Sequence, residues 1–251
     1  GRRSGGGGIE NLGTVVIRNS IVSGNSAGFG GGISNDRGQV LVESSTFSGN
    51  KADSGAGGIG NNQGNLTVRN STFSANSDLG TADSFIGGGG GIQNFLGRVS
   101  IVDSTFSGNV SSGSSSDGGG INNVINPVSG DSGKIFLRDT IVAKNQAPTG
   151  PDASGPFASG GYNLIGDTSG ATGFGATDLQ NTPSGLDPRG LRDNGGPTMT
   201  IALVGGTPPV DAVRGDCTPP TTDQRGIRRP QDGDSDGISR CDIGAYERRA
   251  Q

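Results

Sequence analysis

Apolar and polar residues alternate in short stretches that recur along the first 147 positions. The clearest are Val15-Val16-Ile17-Arg18, Val40-Leu41-Val42-Glu43, Leu66-Thr67-Val68-Arg69, Val99-Ser100-Ile101-Val102 and Ile135-Phe136-Leu137-Arg138. Aligned, their first and third columns are strictly aliphatic, while the second and fourth mix Arg, Glu, Thr and Ser with a few apolar residues. Period-2 patterning with one apolar face predicts β-strands, because successive side chains of a strand point to opposite faces. Ile9, Ile33, Ile59, Ile92 and Ile121 form a matching column before each stretch, and Val22, Phe47, Phe73, Phe106 and Val142 form another after it.

These columns sit inside a repeated phrase. Gly31-Gly-Ile-Ser-Asn35 leads to Ser44-Ser-Thr-Phe-Ser-Gly-Asn50, with copies at 57–76 and 90–109 and weaker ones at 7–25 and 119–145. The closing Asn falls at 25, 50, 76, 109 and 145. Self-similarity at intervals of this size marks a solenoid, in which one repeat cannot bury its apolar face alone and stacks on the next. Three short strands per repeat, each stacked parallel on the next coil, predict an all-β fold: a right-handed parallel β-helix with three sheets. The Asn columns (Asn11, Asn35, Asn61, Asn94, Asn122 and Asn25, Asn50, Asn76, Asn109, Asn145) read as stacked corner residues, since Asn tolerates left-handed turns and bonds to turn backbone.

Composition supports this reading. Gly supplies 51 of 251 residues, as a chain turning several times per coil needs, and 29% hydrophobic content suffices for one narrow core column. The net charge of −4 is scattered, which argues against nucleic acid, and no apolar run is long enough to span a membrane. The chain opens at Gly1 without Met or a signal-peptide pattern, and reads as a processed form or a fragment.

Proline marks a change. Of twelve prolines only Pro127 precedes residue 148. Residues 1–148 are therefore expected to form about five coils, and 149–251 partial coils and a loop-rich cap closing the C-terminal end, all within one continuous domain. The tail carries Gly161-Tyr-Asn-Leu-Ile-Gly166, Asp193-Asn-Gly-Gly-Pro-Thr198, Thr222-Asp-Gln-Arg-Gly226, Arg229-Pro230 and Cys241-Asp-Ile-Gly-Ala-Tyr-Glu247. This ordered set resembles the C-terminal region of bacterial secreted β-helix proteins with a choice-of-anchor Q domain, and the upstream phrases more loosely resemble the repeats of polymorphic outer-membrane proteins. The resemblance implies a secreted or cell-surface protein and no reaction.

The candidate chemistry is sparse. Cys217 and Cys241 are the only cysteines, and an even count in a chain of extracellular character predicts a disulfide against the alternative of two buried thiols. Asp232-Gly-Asp-Ser-Asp-Gly237 opens like a calcium loop, so Asp232, Asp234, Asp236 and the nearby Asp242 are candidate calcium ligands, the alternative being a solvated acidic turn. The chain has no His, the commonest general base, and Glu43, Asp103 and Asp139 stand apart, so an enzyme is not expected and polysaccharide cleavage rests on fold analogy alone. Thr-x-Ser rows beside the Phe column are expected to face outward on the third strand. Ice binding by such rows is the weakest reading; small hydroxyl residues on an exposed sheet are the plainer one.

The first phrase follows Ser4 directly, so Ile9, Val15, Ile17 and Val22 are expected to form an exposed rung, an assembly interface. The functional expectation is a non-enzymatic structural surface protein that assembles head to tail into filaments with copies of itself. The alternative is an adhesin-like stalk or glycan-binding module presenting loops 77–89, 110–118 and 122–133 to cell-surface glycans or proteins.

Overall fold

The computed structural model describes residues 5–80, 88–113, 117–217 and 219–249. Its strands form a parallel β-helix. The first sheet stacks Ile9–Asn11, Ile33–Asp36, Ile59–Asn62, Ile92–Phe95, Ile121–Val124, Ala153–Pro156 and Gly170–Thr172 in that order. The second stacks Thr14–Arg18, Gln39–Glu43, Asn65–Arg69, Arg98–Val102, Lys134–Arg138 and Ala158–Ser159. The third runs Ile21–Ser23, Thr46–Ser48, Thr72–Ser74, Thr105–Ser107, Ile141–Val142, Leu164–Ile165 and Leu179–Gln180. A fourth sheet of two-residue strands, Ser26–Ala27, Lys51–Ala52, Ser77–Asp78 and Val110–Ser111, completes the first four coils. Strands that short leave no alternating pattern, so nothing in the sequence announced them.

The expected registers hold. Val15, Val40, Leu66, Val99 and Ile135 pair rung on rung, as do Val22, Phe47, Phe73, Phe106 and Val142. Phe47, Phe73 and Phe106 are fully buried and stack at 4.8 and 4.6 Å between ring centroids, the spacing the backbone ladder imposes. The repeated Gly-Gly-Ile has a steric cause. At the first glycine of the pair, Gly31, Gly57, Gly90 and Gly119, a Cβ would lie 2.2–2.4 Å from backbone of a neighbouring strand or coil, so no side chain fits.

Polar ladders run beside the core. Asn11, Asn35, Asn61, Asn94 and Asn123 each donate Nδ2 up the column, the last to the Pro156 carbonyl. The expected Asn122 instead registers with Gln93, because Asn123 lies two residues after Ile121, the spacing of the other copies. Asn25, Asn50, Asn76, Asn109 and Asn145 form a second ladder that ends on Asp152. The corner column Asn19, Ser44, Asn70, Asp103 and Asp139 has φ between 44° and 49°, the left-handed turn expected of a polar corner.

A sixth coil and part of a seventh follow residue 148, and the turn through Phe174 lies over the end of the core, with its ring stacked on Phe157 at 5.5 Å. Residues beyond about 183 do not close that end; they run back along the outside of the third sheet. Thr46, Thr72 and Thr105, expected to face solvent, are buried there. Ile141, Ala143 and Leu164 on the same face share a second apolar core with Leu186, Ile201, Leu203, Val213, Cys241 and Ile243. Hydroxyls and aliphatic side chains standing on an outward face need a cover, and the tail supplies it.

Candidate functional site

The threonine column positions the tail. Thr46 Oγ1 donates to the Met199 carbonyl and accepts from Gln224 Nε2, while the Thr72 hydroxyl donates to Gln224 Oε1. Thr105 Oγ1 accepts from the Ala245 N–H, and the Gly244 N–H donates to the Asp139 carbonyl. Gln224 is thus sandwiched between two rungs, with both polar atoms of its side chain used. The ice-binding reading fails on this geometry, because the rows it needs lie under the tail.

Beside the column is a buried ionic cluster. Arg229 is enclosed, with Nη1 3.2 Å from Glu247 Oε2 and 3.9 Å from Asp103 Oδ1, and it donates to the Asp242 and Gly244 carbonyls. Asp223 binds Arg225 at 2.6 Å and accepts from the Glu247 N–H, and the Arg225 guanidinium lies 3.5 Å from the Tyr246 ring centroid. Burial pushes the Asp103 carboxyl up to about 7 against the pull of Arg229, with Asp139 adding to the rise. Burial likewise raises Asp242 and Glu247, again opposed by Arg229. One cation therefore holds several carboxyls together. Three of the five tail motifs meet here, Thr222–Gly226, Arg229-Pro230 and Cys241–Glu247, and of their charges only Asp242 had been singled out, as a calcium ligand rather than as part of this cluster. The available signal was a run such as Cys-Asp-Ile-Gly-Ala-Tyr-Glu, where lone charges sit among apolar and small residues.

The cluster is sealed from solvent: Asp103, Asp139, Arg229, Asp242 and Glu247 are all buried. A polysaccharide cannot reach Asp103 and Asp139 while the tail is in place. Together with the threonine contacts, the arrangement clamps the tail onto coils two to five.

Cys217 and Cys241 form a disulfide, with Cα atoms 5.8 Å apart. The acidic loop is arranged differently from the expected ligand set. Asp211, Asp232 and Asp234 bring carboxylate oxygens within 4.8 Å of one another, a set suited to a hard divalent cation. Asp242 is not among them, since it points into the clamp and accepts from the Asp211 and Arg248 N–H groups. Asp236 pairs with Arg240 at 3.5 Å. The loop also satisfies itself: Asp232 accepts from the Asp236 and Gly237 N–H groups, and Asp211 from those of Asp234 and Arg240.

At the other end, the first strand of every sheet is an edge strand. Ile9, Val15 and Val22 are half-buried against the core, but Ile17 is 6% exposed and belongs to it. The expectation of four outward side chains is corrected accordingly: the alternation aims them at the interior of their own coil. The most exposed apolar residues of that coil are Leu12, Val16 and Ile21. Of the expected loops, residues 81–87 and 114–116 lie outside the described residues.

No helix among the described residues is long and apolar enough to cross a membrane, and the disulfide is compatible with an extracellular protein. Comparison with protein families, with characterised proteins and with solved structures finds no match.

Proposed function

We propose that this chain is a non-enzymatic structural module of a secreted or cell-surface protein, whose first rung takes a further β-helical coil. The observation that carries this reading is the difference between the two ends. Among the described residues, the first rung leaves four strand edges in the register of the repeat, over half-buried Ile9, Val15 and Val22. The last turn is crossed by Phe174, and the second sheet stops at Ala158–Ser159. Unpaired parallel edges in register are templates for another strand. The tail motifs that resemble choice-of-anchor Q proteins supply most of the clamp, and the resemblance favours the cell surface as the setting.

Stacking between copies gives the filament reading. A contact between unlike ends propagates as a fibre. Continuation within a longer chain gives the stalk reading, in which the module holds binding surfaces away from the cell. Negative-stain microscopy with light-scattering mass separates them. Fibres with an axial repeat of one subunit support the filament, and a persistent 24.9 kDa monomer sinks it and leaves the stalk. Release of reducing or unsaturated ends from a panel of acidic polysaccharides, with calcium present, would overturn the non-enzymatic reading.

A further inference from the structure

The outer face of the second sheet carries a charge balance unlike that of the chain. The chain as a whole has 19 cations and 23 carboxylates. The outward positions of that face, read from the strand registers, hold Arg18, Arg69, Arg98, Lys134 and Arg138 against Glu43 alone. Arg18 pairs with Glu43 at 2.8 Å, and Arg138 with the buried Asp139 at 3.2 Å. Arg69, Arg98 and Lys134 form no ion pair among the described residues, and neither does Asp131, the carboxylate nearest to Lys134 in sequence.

Arg98 and Lys134 are directly opposed on adjacent rungs. Like charges in that position repel, so the pair gains from an anion placed between them. Beside them opens a groove of about 440 Å³, whose apolar wall is formed by Phe136, Pro156 and Phe157. Phe136 stands on the outer face with 38% of its surface exposed, next to the two cations.

We propose that this groove binds a carboxylated oligosaccharide, a uronate chain whose carboxylate lies between Arg98 and Lys134 while the C–H face of a sugar ring rests on Phe136. Arg98 offers the planar fork that pairs a carboxylate bidentately, and Lys134 adds a point charge. The groove is in the size range of small-molecule sites, with an apolar wall and few polar groups at the rim. Single-stranded nucleic acid fits the face less well. It needs successive aromatic platforms along a basic track, and the neighbouring outward positions on this face are Ser100, Thr67 and Leu41. A peptide strand would need a free sheet edge, and every strand lining the groove except the last is paired on both sides. The proposal is independent of what covers the first rung.

The test is calorimetric titration of the full chain with a hexauronate, a neutral hexasaccharide of the same linkage, and hexathymidylate, at low and physiological salt. The wild type is compared with Phe136→Ala and with the double variant Arg98→Ser/Lys134→Ser, whose changes lie on an outer face; unchanged circular dichroism and Tm verify folding. Expected are hexauronate binding at least tenfold tighter than the neutral sugar, and a loss of tenfold or more in both variants. No hexauronate binding, equal affinity for the neutral sugar, or variants that bind like wild type would each overturn the proposal. So would hexathymidylate binding as tightly as the hexauronate with the same dependence on Arg98 and Lys134.

Discussion

The coils and the tail solve the same problem by opposite means. In the coils, each stabilising contact is repeated: three stacked Phe rings, aliphatic columns and Asn ladders in which every rung resembles the next. In the tail, contacts occur once. Gln224 bridges two rungs, Arg229 gathers carboxyls from the tail and the coils, and one disulfide closes a 24-residue separation. Nearest-neighbour stacking spreads stability along a solenoid. A single buried cation concentrates it, because removing one partner of a buried ion pair leaves uncompensated charge. The two regions should therefore fail differently.

The sharpest way to break the comparison is a pair of substitutions of similar cost. Arg229→Ala should cost about 3–5 kcal/mol, since it removes the buried partner shared by Glu247, Asp103 and the Asp242 and Gly244 carbonyls. Phe73→Ala should also cost about 3–5 kcal/mol, through the cavity left between Phe47 and Phe106. The expected difference is one of place. Hydrogen exchange should show Arg229→Ala releasing residues 183–249 while the coils stay protected, and Phe73→Ala weakening the middle coils. Uniform loss of protection in both variants would mean that coils and tail form one cooperative unit.

Opening the Cys217–Cys241 disulfide is the next test. Replacing both residues by Ser removes a closed loop of 24 residues' separation, worth about 3 kcal/mol by chain entropy. The loss should appear in the tail's protection and in a lower Tm. An unchanged Tm would show that the clamp holds this segment without help. Asn76→Ala should cost less, about 1–3 kcal/mol, by leaving donors of Asn50 and the Phe47 carbonyl without their partner. Urea unfolding measures it, and an Asn109→Ala variant of the same size would show that the ladder is as repetitive energetically as it is geometrically.

This contrast also explains what the sequence revealed. The columns from Ile9 to Ile121 and from Val22 to Val142 were legible because stacking repeats each environment, so periodicity reports it several times over. The clamp was not. Arg229 and Gln224 meet the coils across separations of more than a hundred residues, and no period links a unique tail residue to the rung it covers. The Thr-x-Ser rows misled for a related cause: alternation says that Thr46, Thr72 and Thr105 leave the core of the helix, but not that a second core waits outside. The acidic loop was half legible. Spacing found Asp232 and Asp234, but Asp211 joins them from a separate turn and Asp242 leaves.

The smallest expected effect lies in the pH dependence of the clamp. Burial raises Asp103 from its ordinary 3.8 to about 7, so the folded protein holds a proton that the unfolded chain has already released. The groups facing it are Arg229, which lowers its pKa, Asp139, which raises it, and Arg138, which lowers it. A raised carboxyl contributes stability that is fully present below about pH 4 and is lost as the pH climbs through 7. Asp103→Asn keeps the shape and removes the titration. Between pH 6 and pH 7 the wild type should lose about 1 kcal/mol relative to this variant, at most the 1.4 kcal/mol that one pKa unit carries. Urea unfolding at the two pH values, followed by the tail's exchange protection, measures the difference. Parallel pH profiles for the two proteins would mean that Arg229 keeps Asp103 ionised throughout, and that the clamp is a full ion pair at this position, in contrast to the neutral ladders of the coils.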